Sequence, residues 1–399
     1  MKRNLIWNFF KYFLFFALIA SFKAWFTWNM KYLYIFLIGC CVGFFVTHKF
    51  FFETKRNNIR WLIILYTAVY FGNLCDGILA TITPMIILFP FFFVVTLKAP
   101  QKEDLLSTIR VILSLLLTIS LVGWISYYLG VSSSYTTIEY GDYQGGAQYI
   151  YENHYIYLIN VTRLETELFP RFCFVFLEPG YLGCLLAMLL YIGNYKLDKP
   201  NTVFYISLFF TFSLAGYILT LVGYFYYSYM KSKKRILWLF TFVSLLSISI
   251  SFTLLYNKGD NYVNEMILLR LEYDEDTGIA GNNRSTYNTD KYFWGTFVNS
   301  SDLFFGQGRN ALKRLHDADA DWKVYVMQHG IIGTFLFLFF IFYPCLWNKN
   351  RTRVFMLSII YFLIFVQTVH LIHSMMYLTI FSLGVNRCVQ EKQLKKKIV

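Results

Sequence analysis

The chain has 399 residues, of which 57% are hydrophobic and 15% charged, and its formal net charge is +13. Soluble domains typically carry about 25% charged and about 45–50% apolar residues. The composition therefore excludes a soluble enzyme, and it also excludes a disordered chain, which needs low hydrophobicity. An integral membrane protein remains, and its basic excess must lie outside the lipid hydrocarbon.

Apolar stretches of membrane-spanning length recur along the whole chain. A membrane helix needs about 20 mostly apolar residues. About twelve stretches qualify, at residues 5–22, 32–47, 61–74, 78–97, 109–129, 172–192, the two arms of 202–230, 236–256, 324–346, 354–369 and 371–385. This pattern predicts an all-α polytopic integral membrane protein with about 12 transmembrane helices and two long periplasmic or extracellular loops.

Short basic loops predict the orientation of the chain, because Lys and Arg concentrate on the cytoplasmic side. The basic clusters lie at residues 2–3, 48–60, 98–110, 196–199, 231–235, 349–353 and 392–397. They agree with both termini being cytoplasmic only if 202–230 crosses out and back, with a reversal near 213–216. That segment forms a re-entrant pair or two full spans, whereas one long tilted helix breaks the pattern.

The predicted organisation has five parts. Membrane helices (1–129) precede a first outside loop (130–171), which alternates Tyr and Ile with polar residues around Gly145-Gly146, a pattern typical of a hairpin. Central membrane helices (172–256) precede a second, catalytic outside loop (257–323), and C-terminal helices with a basic cytoplasmic tail follow (324–399). The two loops hold ten of the 36 basic residues and sixteen of the 23 acidic ones. The positive excess is thus a signal of sidedness, and no nucleic-acid surface is predicted.

Cofactor motifs are missing from the sequence. The seven Cys residues avoid the outside loops and show no metal-ligand spacing. There is no phosphate-binding Walker loop, dinucleotide fingerprint or zinc-protease motif. We therefore predict no cofactor and no metal.

An Arg–Glu pair marks the outer end of the sixth span. Arg171 precedes Glu178-Pro179-Gly180, and a carboxylate entering apolar sequence is costly unless it is paired. In one interpretation Arg171 binds an anionic head group, and Glu178 orients that group or acts as a base. In the other, the two residues form an ion pair that staples the start of the helix.

The second loop carries a glycine–arginine pattern. Arg284 lies upstream of Gly306-Gln307-Gly308-Arg309. Glycines let the backbone approach a ligand, and the guanidinium fork fits phosphate oxygens. An ordinary turn explains the Gly-x-Gly pattern as well.

An acidic run with one histidine follows this pattern. Arg314 and His316 begin a segment that includes Asp319 and leads to Trp322. Histidine beside carboxylates suits general base catalysis, an Asp-rich run can bind a divalent cation, and a solvated helix start is the third reading. His329, at the opening of the next span, either faces the site or packs at the membrane interface.

In their order along the chain, these motifs resemble the Wzy-type O-antigen and capsule polysaccharide polymerases, which are related to the O-antigen ligases. The motifs are Arg171-(x)6-Glu178-Pro179-Gly180, Thr211-Phe212-Ser213-(x)2-Gly216, Arg284, Gly306-Gln307-Gly308, Asp319-(x)2-Trp322 and His329-Gly330-(x)2-Gly333. The family commonly has a basic or small residue after the serine, whereas Leu214-Ala215 stand here. Ser213 is therefore expected only to shape the bend.

The resemblance implies a glycosyltransferase of the bacterial inner membrane with a periplasmic active face. Such an enzyme moves the growing glycan from undecaprenyl diphosphate onto the next lipid-linked unit, without nucleotide or metal. Its partners would be the lipid-linked donor and acceptor, the bilayer and a chain-length regulator protein.

The resemblance also implies roles for individual residues. Arg171, Arg284 and either Arg309 or Arg314 would stabilise the departing diphosphate, and one of His316, Asp319 or Glu178 would act as the base. Substrate contacts are expected from Arg309, Arg314, Gly306, Gly308, Trp322 and His329. The alternatives are a ligase that transfers glycan to the lipid A core and, in a different class, a flippase or other transporter of lipid-linked oligosaccharide.

Overall fold

The computed structural model describes residues 2–22, 24–28, 33–131, 134–140, 149–163, 171–232, 234–256, 264, 273–274, 278–279, 287–308, 311, 322–348, 350–367 and 374–398. The structure is mostly helical. By length and composition, three of the described helices can cross a membrane, at Ile78–Thr96, Ala99–Tyr128 and Trp322–Trp347. Shorter apolar helices cover Leu5–Ala20, Ile35–Thr47 and Pro179–Ile192.

The N-terminal third is a series of helices joined by short turns. They are α1 (Lys2–Ala20), α2 (Leu33–Thr47), α3 (Arg56–Gly72), α4 (Ile78–Ile87), α5 (Phe89–Thr96) and α6 (Ala99–Tyr128). The predicted span 78–97 is two helices, because Pro90 in the first turn of α5 cannot continue the hydrogen bonding of α4. Helix α6 begins ten residues before the predicted span, so Arg110 lies inside a helix rather than in a loop.

The first outside loop contains a small antiparallel sheet. Its strands are β1 (Thr136–Tyr140), β2 (Tyr149–Asn153) and β3 (Leu158–Asn160), in that order. The register pairs Thr136 with Asn153 and Tyr140 with Tyr149. The β1–β2 pair is the hairpin that the alternating Tyr and Ile predict, while Gly145-Gly146 lies outside the described residues. The chain is therefore mostly helical rather than all-α, because the period-two alternation in this loop favours a sheet with one buried face.

The central helices are α7 (Pro179–Ile192), α8 (Lys199–Phe210), α9 (Leu214–Lys231) and α10 (Arg235–Leu255). The predicted span 172–192 is wrong in its first seven residues, which are not helical although residues 172–177 are buried. Their backbone bonds other elements instead, since the Leu158 amide donates to the Phe174 carbonyl and the Trp25 amide to that of Val175. Tertiary packing thus overrides local apolar composition at this position.

A break between two helices lies at 211–213, directly before most of the predicted bend at 213–216. Phe212 has a positive φ of 45°, and Ser213 begins α9 as its N-cap, accepting the Gly216 amide at 3.3 Å. Both α8 and α9 pack against α7. The Ser213 hydroxyl is therefore used in shaping the bend.

The C-terminal part includes the strands β4 (Tyr273–Asp274) and β5 (Gly278–Ile279), followed by α11 (Tyr287–Tyr292), a π-helical turn (Phe293–Phe297) and α12 (Asp302–Phe305). Then come α13 (Trp322–Phe342), α14 (Pro344–Trp347), α15 (Arg351–Gln367) and α16 (Met375–Ile398). Part of the predicted second loop forms a small apolar core with the first turns of α13, built from Phe293, Phe297, Ala311, Val324, Val326 and Met327.

The bundle has two chemically different ends. At the first, ion pairs join α1, α6, α8 and α16: Lys11 with Asp104, Arg110 with Asp198, and Arg387 with Glu103. We call this the basic end. The opposite end holds the sheet, the 172–177 segment, the bend at 211–213, the end of α3 and the start of α13. Helices α3 and α13 are antiparallel, because Trp61 bonds Phe340 near one end of the pair and Gly72 bonds His329 near the other.

Candidate functional site

At the opposite end, a loop of three residues packs on a break in α13. We call Gly306, Gln307 and Gly308 the glycine loop. The backbone of α13 is not helical at Gly330, where φ is 66° and ψ is 175°. The Gln307 amide donates to the Met327 carbonyl at 2.7 Å. The break thus frees a carbonyl of α13 to hold the loop.

Two glycines are required where the loop and the helix meet. A Cβ atom on Gly330 would lie 2.3 Å from the Phe304 carbonyl oxygen, and one on Gly306 would lie 2.6 Å from the Gly330 nitrogen. Both residues also have positive φ, which side-chain-bearing residues rarely adopt. The two backbones are therefore in direct contact, with no space for side chains between them.

The end of α3 completes this arrangement. The His329 Nδ1 bonds the Gly72 carbonyl, the Cys75 Sγ lies 3.2 Å from the Gly306 carbonyl, and the Asp76 carboxylate abuts Gly308. We call the glycine loop, the 72–76 turn and His329-Gly330 the glycine assembly. It brings together predicted site residues from two sequence motifs, Gly306, Gly308 and His329.

The hydrogen bond of His329 determines the chemistry of its ring. A carbonyl oxygen can only accept, so Nδ1 carries the proton and Nε2 is the nitrogen that can take another. The ring also packs on Tyr325, with centroids 4.2 Å apart. His329 therefore packs where α3 and α13 meet, and its role in a site stays a prediction.

Acidic groups surround Cys75. Burial raises the pKa of this thiol, and the charges of Asp302 and Asp76 raise it further. Asp302 accepts a hydrogen bond of 2.9 Å from the Gln307 side chain, which also bonds the Tyr292 hydroxyl at 2.8 Å. Cys75 is thus a thiol rather than a thiolate nucleophile, and the carboxylates are acceptors suited to hydroxyl groups.

Arg171 and Glu178 stand at the two ends of the buried 172–177 segment. Both are partly exposed. Glu178 is the N-cap residue of α7, but its side chain makes no capping hydrogen bond, although a carboxylate is favourable at a helix N-terminus. The contacts that position this pair come from β3, α8 and the 24–28 segment, whereas those that position the glycine assembly come from α3, α12 and α13.

Trp322 occupies a different place from the glycine assembly. Its ring packs edge-on against Phe293, 5.5 Å away, in the small apolar core described above. The neighbouring Lys323 pairs with Asp290. Trp322 is therefore a packing residue in the described structure.

Five predicted site residues lie outside the described residues: Arg284, Arg309, Arg314, His316 and Asp319. Among the residues that the structure describes, no group of three or more His, Cys, Asp or Glu could hold a metal ion.

Sequence reasoning missed four members of this region: Cys75, Asp76, Tyr292 and Asp302. The only signal was the Asp76-Gly77 pair, a common turn sequence. Spacing along the chain could not connect it with the glycine loop, because His329 and Gly72 are 257 residues apart.

The geometry defines a class of protein, a mostly helical chain with apolar helices of membrane-spanning length and a polar, glycine-built assembly at one end. Comparison with known protein families, curated proteins and solved structures finds no match to this chain.

Proposed function

We propose that this chain is a polysaccharide polymerase of the bacterial inner membrane, with about 12 spans and both termini in the cytoplasm. It would join undecaprenyl-diphosphate-linked repeat units into O-antigen or capsule polysaccharide. The motif resemblance is the basis of the proposal. One structural observation supports it most. Gly306 and Gly308 come from one motif and His329 from another, and the two motifs pack together at the end remote from the basic end.

The reaction that we propose needs no external energy source. The bond between the anomeric carbon of the donor glycan and its diphosphate breaks, and a bond to a hydroxyl oxygen of the acceptor sugar forms. The undecaprenyl diphosphate leaves with the bonding electron pair, and the hydroxyl proton passes to a base. Preorganised guanidinium groups stabilise the leaving group, for which Arg171, Arg284 and either Arg309 or Arg314 are the candidates.

The geometry adds a candidate for the base. His316, Asp319 and Glu178 were the candidates from sequence, and His329 joins them because its Nδ1 is held by the Gly72 carbonyl. This leaves Nε2 as the basic nitrogen, the arrangement that general base catalysis requires. Asp76 and Asp302 are acceptors suited to orienting sugar hydroxyls nearby.

Deletion of the gene tests the proposed reaction. Surface glycan on a gel should change from a ladder to single capped repeats. Loss of all glycan from the lipid A core, with lipid-linked polymer accumulating, would instead indicate a ligase. Loss of both the ladder and the single capped repeats, with lipid-linked units retained on the cytoplasmic side, would indicate a flippase. An unchanged ladder would contradict all three functions, polymerase, ligase and flippase.

Substitutions test the assigned roles. Arg284→Ala should abolish the ladder at normal protein level, whereas Arg60→Ala, an exposed arginine on α3 near the basic end, should keep it. A full ladder in Arg284→Ala would exclude the role of Arg284.

His329→Asn separates packing from proton transfer. Its amide nitrogen lies where Nδ1 does and can still donate to the Gly72 carbonyl, but it cannot accept a proton. We expect normal thermal unfolding with a loss of rate of about 10²–10⁴-fold, measured with lipid-linked repeat units in proteoliposomes. A normal rate with an unchanged pH profile would assign the base to another residue.

A further inference from the structure

An open apolar groove runs along α3 on the outer surface of the bundle. Its volume is about 510 Å³, and it lies between α3 and the α4–α5 pair. Ile59, Ile63, Tyr66 and Phe71 line it on α3, and Met85 and Phe92 line the other wall. The groove exists because α4 and α5 are separate short helices, with Pro84 inside α4 and Pro90 at the start of α5.

The groove is accessible from the lipid side. Ile63 and Ile59 are exposed in the structure, so a chain in the surrounding bilayer can enter sideways. Its lining is almost entirely apolar and rich in aromatic rings, which offer flat surfaces to a branched hydrocarbon. Such a lining suits a hydrocarbon chain and suits a polar ligand poorly.

The groove leads to the glycine assembly. From Ile59 to Phe71 it follows α3 for about 18 Å at the helical rise of about 1.5 Å per residue. The next residue, Gly72, accepts the hydrogen bond of His329, and Cys75 and Asp76 follow in the same turn. A molecule with a long apolar tail and a polar head would therefore place its head beside the assembly.

We propose that this groove holds the polyprenyl tail of the lipid-linked glycan. The inference rests on the proposed function and adds the place where the substrate lipid binds. One tail fits a groove with a single polar end, whereas a phospholipid carries two tails from one head group. The first sugars would emerge beside Asp76 and Asp302, whose oxygens accept hydrogen bonds from hydroxyls.

Direct binding tests the groove. The full chain in nanodiscs is titrated with undecaprenyl phosphate and with farnesyl phosphate, and bound lipid is counted by native mass spectrometry. Ile63→Trp fills the groove, and Leu115→Trp on α6 is the matched control, because the two positions are 57% and 59% exposed. Thr67→Phe, one turn further along α3, repeats the test at a second lining position.

We expect Ile63→Trp to weaken binding of undecaprenyl phosphate by roughly tenfold, equivalent to losing about two buried methylene groups. Leu115→Trp should bind like the wild type, and farnesyl phosphate should bind weakly to the wild type and to all three variants. Wild-type affinity in both groove variants, or equal displacement by phosphatidylglycerol, would overturn the proposal.

Glycan analysis separates failure of the groove from failure of the proposed function. If the gene deletion abolishes the ladder while Ile63→Trp keeps both ladder and binding, the groove assignment is wrong and the function stands. If Ile63→Trp loses binding while the deletion strain keeps its ladder, the groove holds a polyprenyl chain and the proposed function is wrong.

Discussion

The two ends of the bundle are built on different physical principles. At the basic end, side chains with opposite charge join helices, as Arg110 of α6 joins Asp198 and Asn201 at the start of α8. At the opposite end, backbones meet directly through glycines, and the chain there is broken, bent or extended. Paired charges hold regular helices together at the basic end, whereas the irregular backbone of the opposite end brings carbonyl, imidazole and carboxylate groups into one assembly. The opposite end also holds the Lys323–Asp290 pair, so the two ends differ in the glycine-built backbone contact rather than in the presence of ion pairs.

The largest effect should come from a side chain at the backbone contact. Gly330→Ala adds a Cβ atom 2.3 Å from a carbonyl oxygen, at a positive φ. We expect a loss of at least about 2–3 kcal/mol in unfolding free energy, together with loss of the proposed polymerase activity, measured by thermal unfolding in detergent and by the glycan ladder. Gly295→Ala is the control, since a Cβ there meets nothing within 4 Å. Equal stability of the two variants would show that the glycine assembly is not a rigid contact.

A smaller effect is expected at the basic end from Asp198→Asn. Asparagine preserves the cap of α8, which accepts the Asn201 amide, but it leaves the buried Arg110 guanidinium without its counter-charge. We expect the free energy of unfolding, measured by heat or denaturant, to fall by about 1–3 kcal/mol. This is less than for a fully buried ion pair, because the Asp198 side chain is 41% exposed. Lys55→Met breaks the exposed Glu53–Lys55 pair and should cost under about 0.5 kcal/mol. Equal losses would mean that burial does not distinguish the two pairs.

The two ends should also lose stability in different pH windows. Burial lowers the pKa of His154 below 6.5, and Glu152 only partly offsets this. For Asp198, burial raises the pKa, but hydrogen bonds from the Asn201 amide and Arg110 outweigh it, so the net pKa lies below 3.8. A lowered folded-state pKa means that stability is present above the unfolded-state pKa and is lost as pH falls through the folded-state value.

Thermal unfolding against pH measures this difference. The wild type should lose stability first as pH falls below about 6.5, from His154, and again below about 3.8, from Asp198. His154→Gln should remove the upper step alone and Asp198→Asn the lower step alone. A single loss of stability at the same pH in the wild type and both variants would contradict the prediction that the two ends titrate independently.

A smaller effect than at Asp198 is expected at the bend. Ser213→Ala removes the hydroxyl that accepts the Gly216 amide, which should cost about 0.5–1 kcal/mol. The ladder should persist, because the hydroxyl only shapes the bend. Loss of the ladder at normal stability would instead give Ser213 a role in the reaction.

Several features of the fold could be predicted because they depend on local composition. Apolar length predicts helices, and the two basic flanks of 202–230 predict a reversal within it, although the break lies at 211–213 and the small residues Ala215 and Gly216 are inside α9. The β1–β2 hairpin follows from alternating Tyr and Ile. The helix over residues 172–178 was predicted wrongly, since the backbone turns at Phe174 and bonds β3, α8 and Trp25 instead.

The sequence by itself predicted a mostly helical chain with apolar helices of membrane-spanning length and a basic excess outside its two long predicted loops. Both properties follow from the transfer of local side chains between water and lipid, and no distant contact is needed for them. Only the tertiary structure decided which polar groups meet. The 72–76 turn, the glycine loop and His329 come from distant segments, and their contact depends on the antiparallel packing of α3 on α13 and on the break at Gly330. Such pairing depends on complementary shapes of helix faces, which spacing along one chain does not encode.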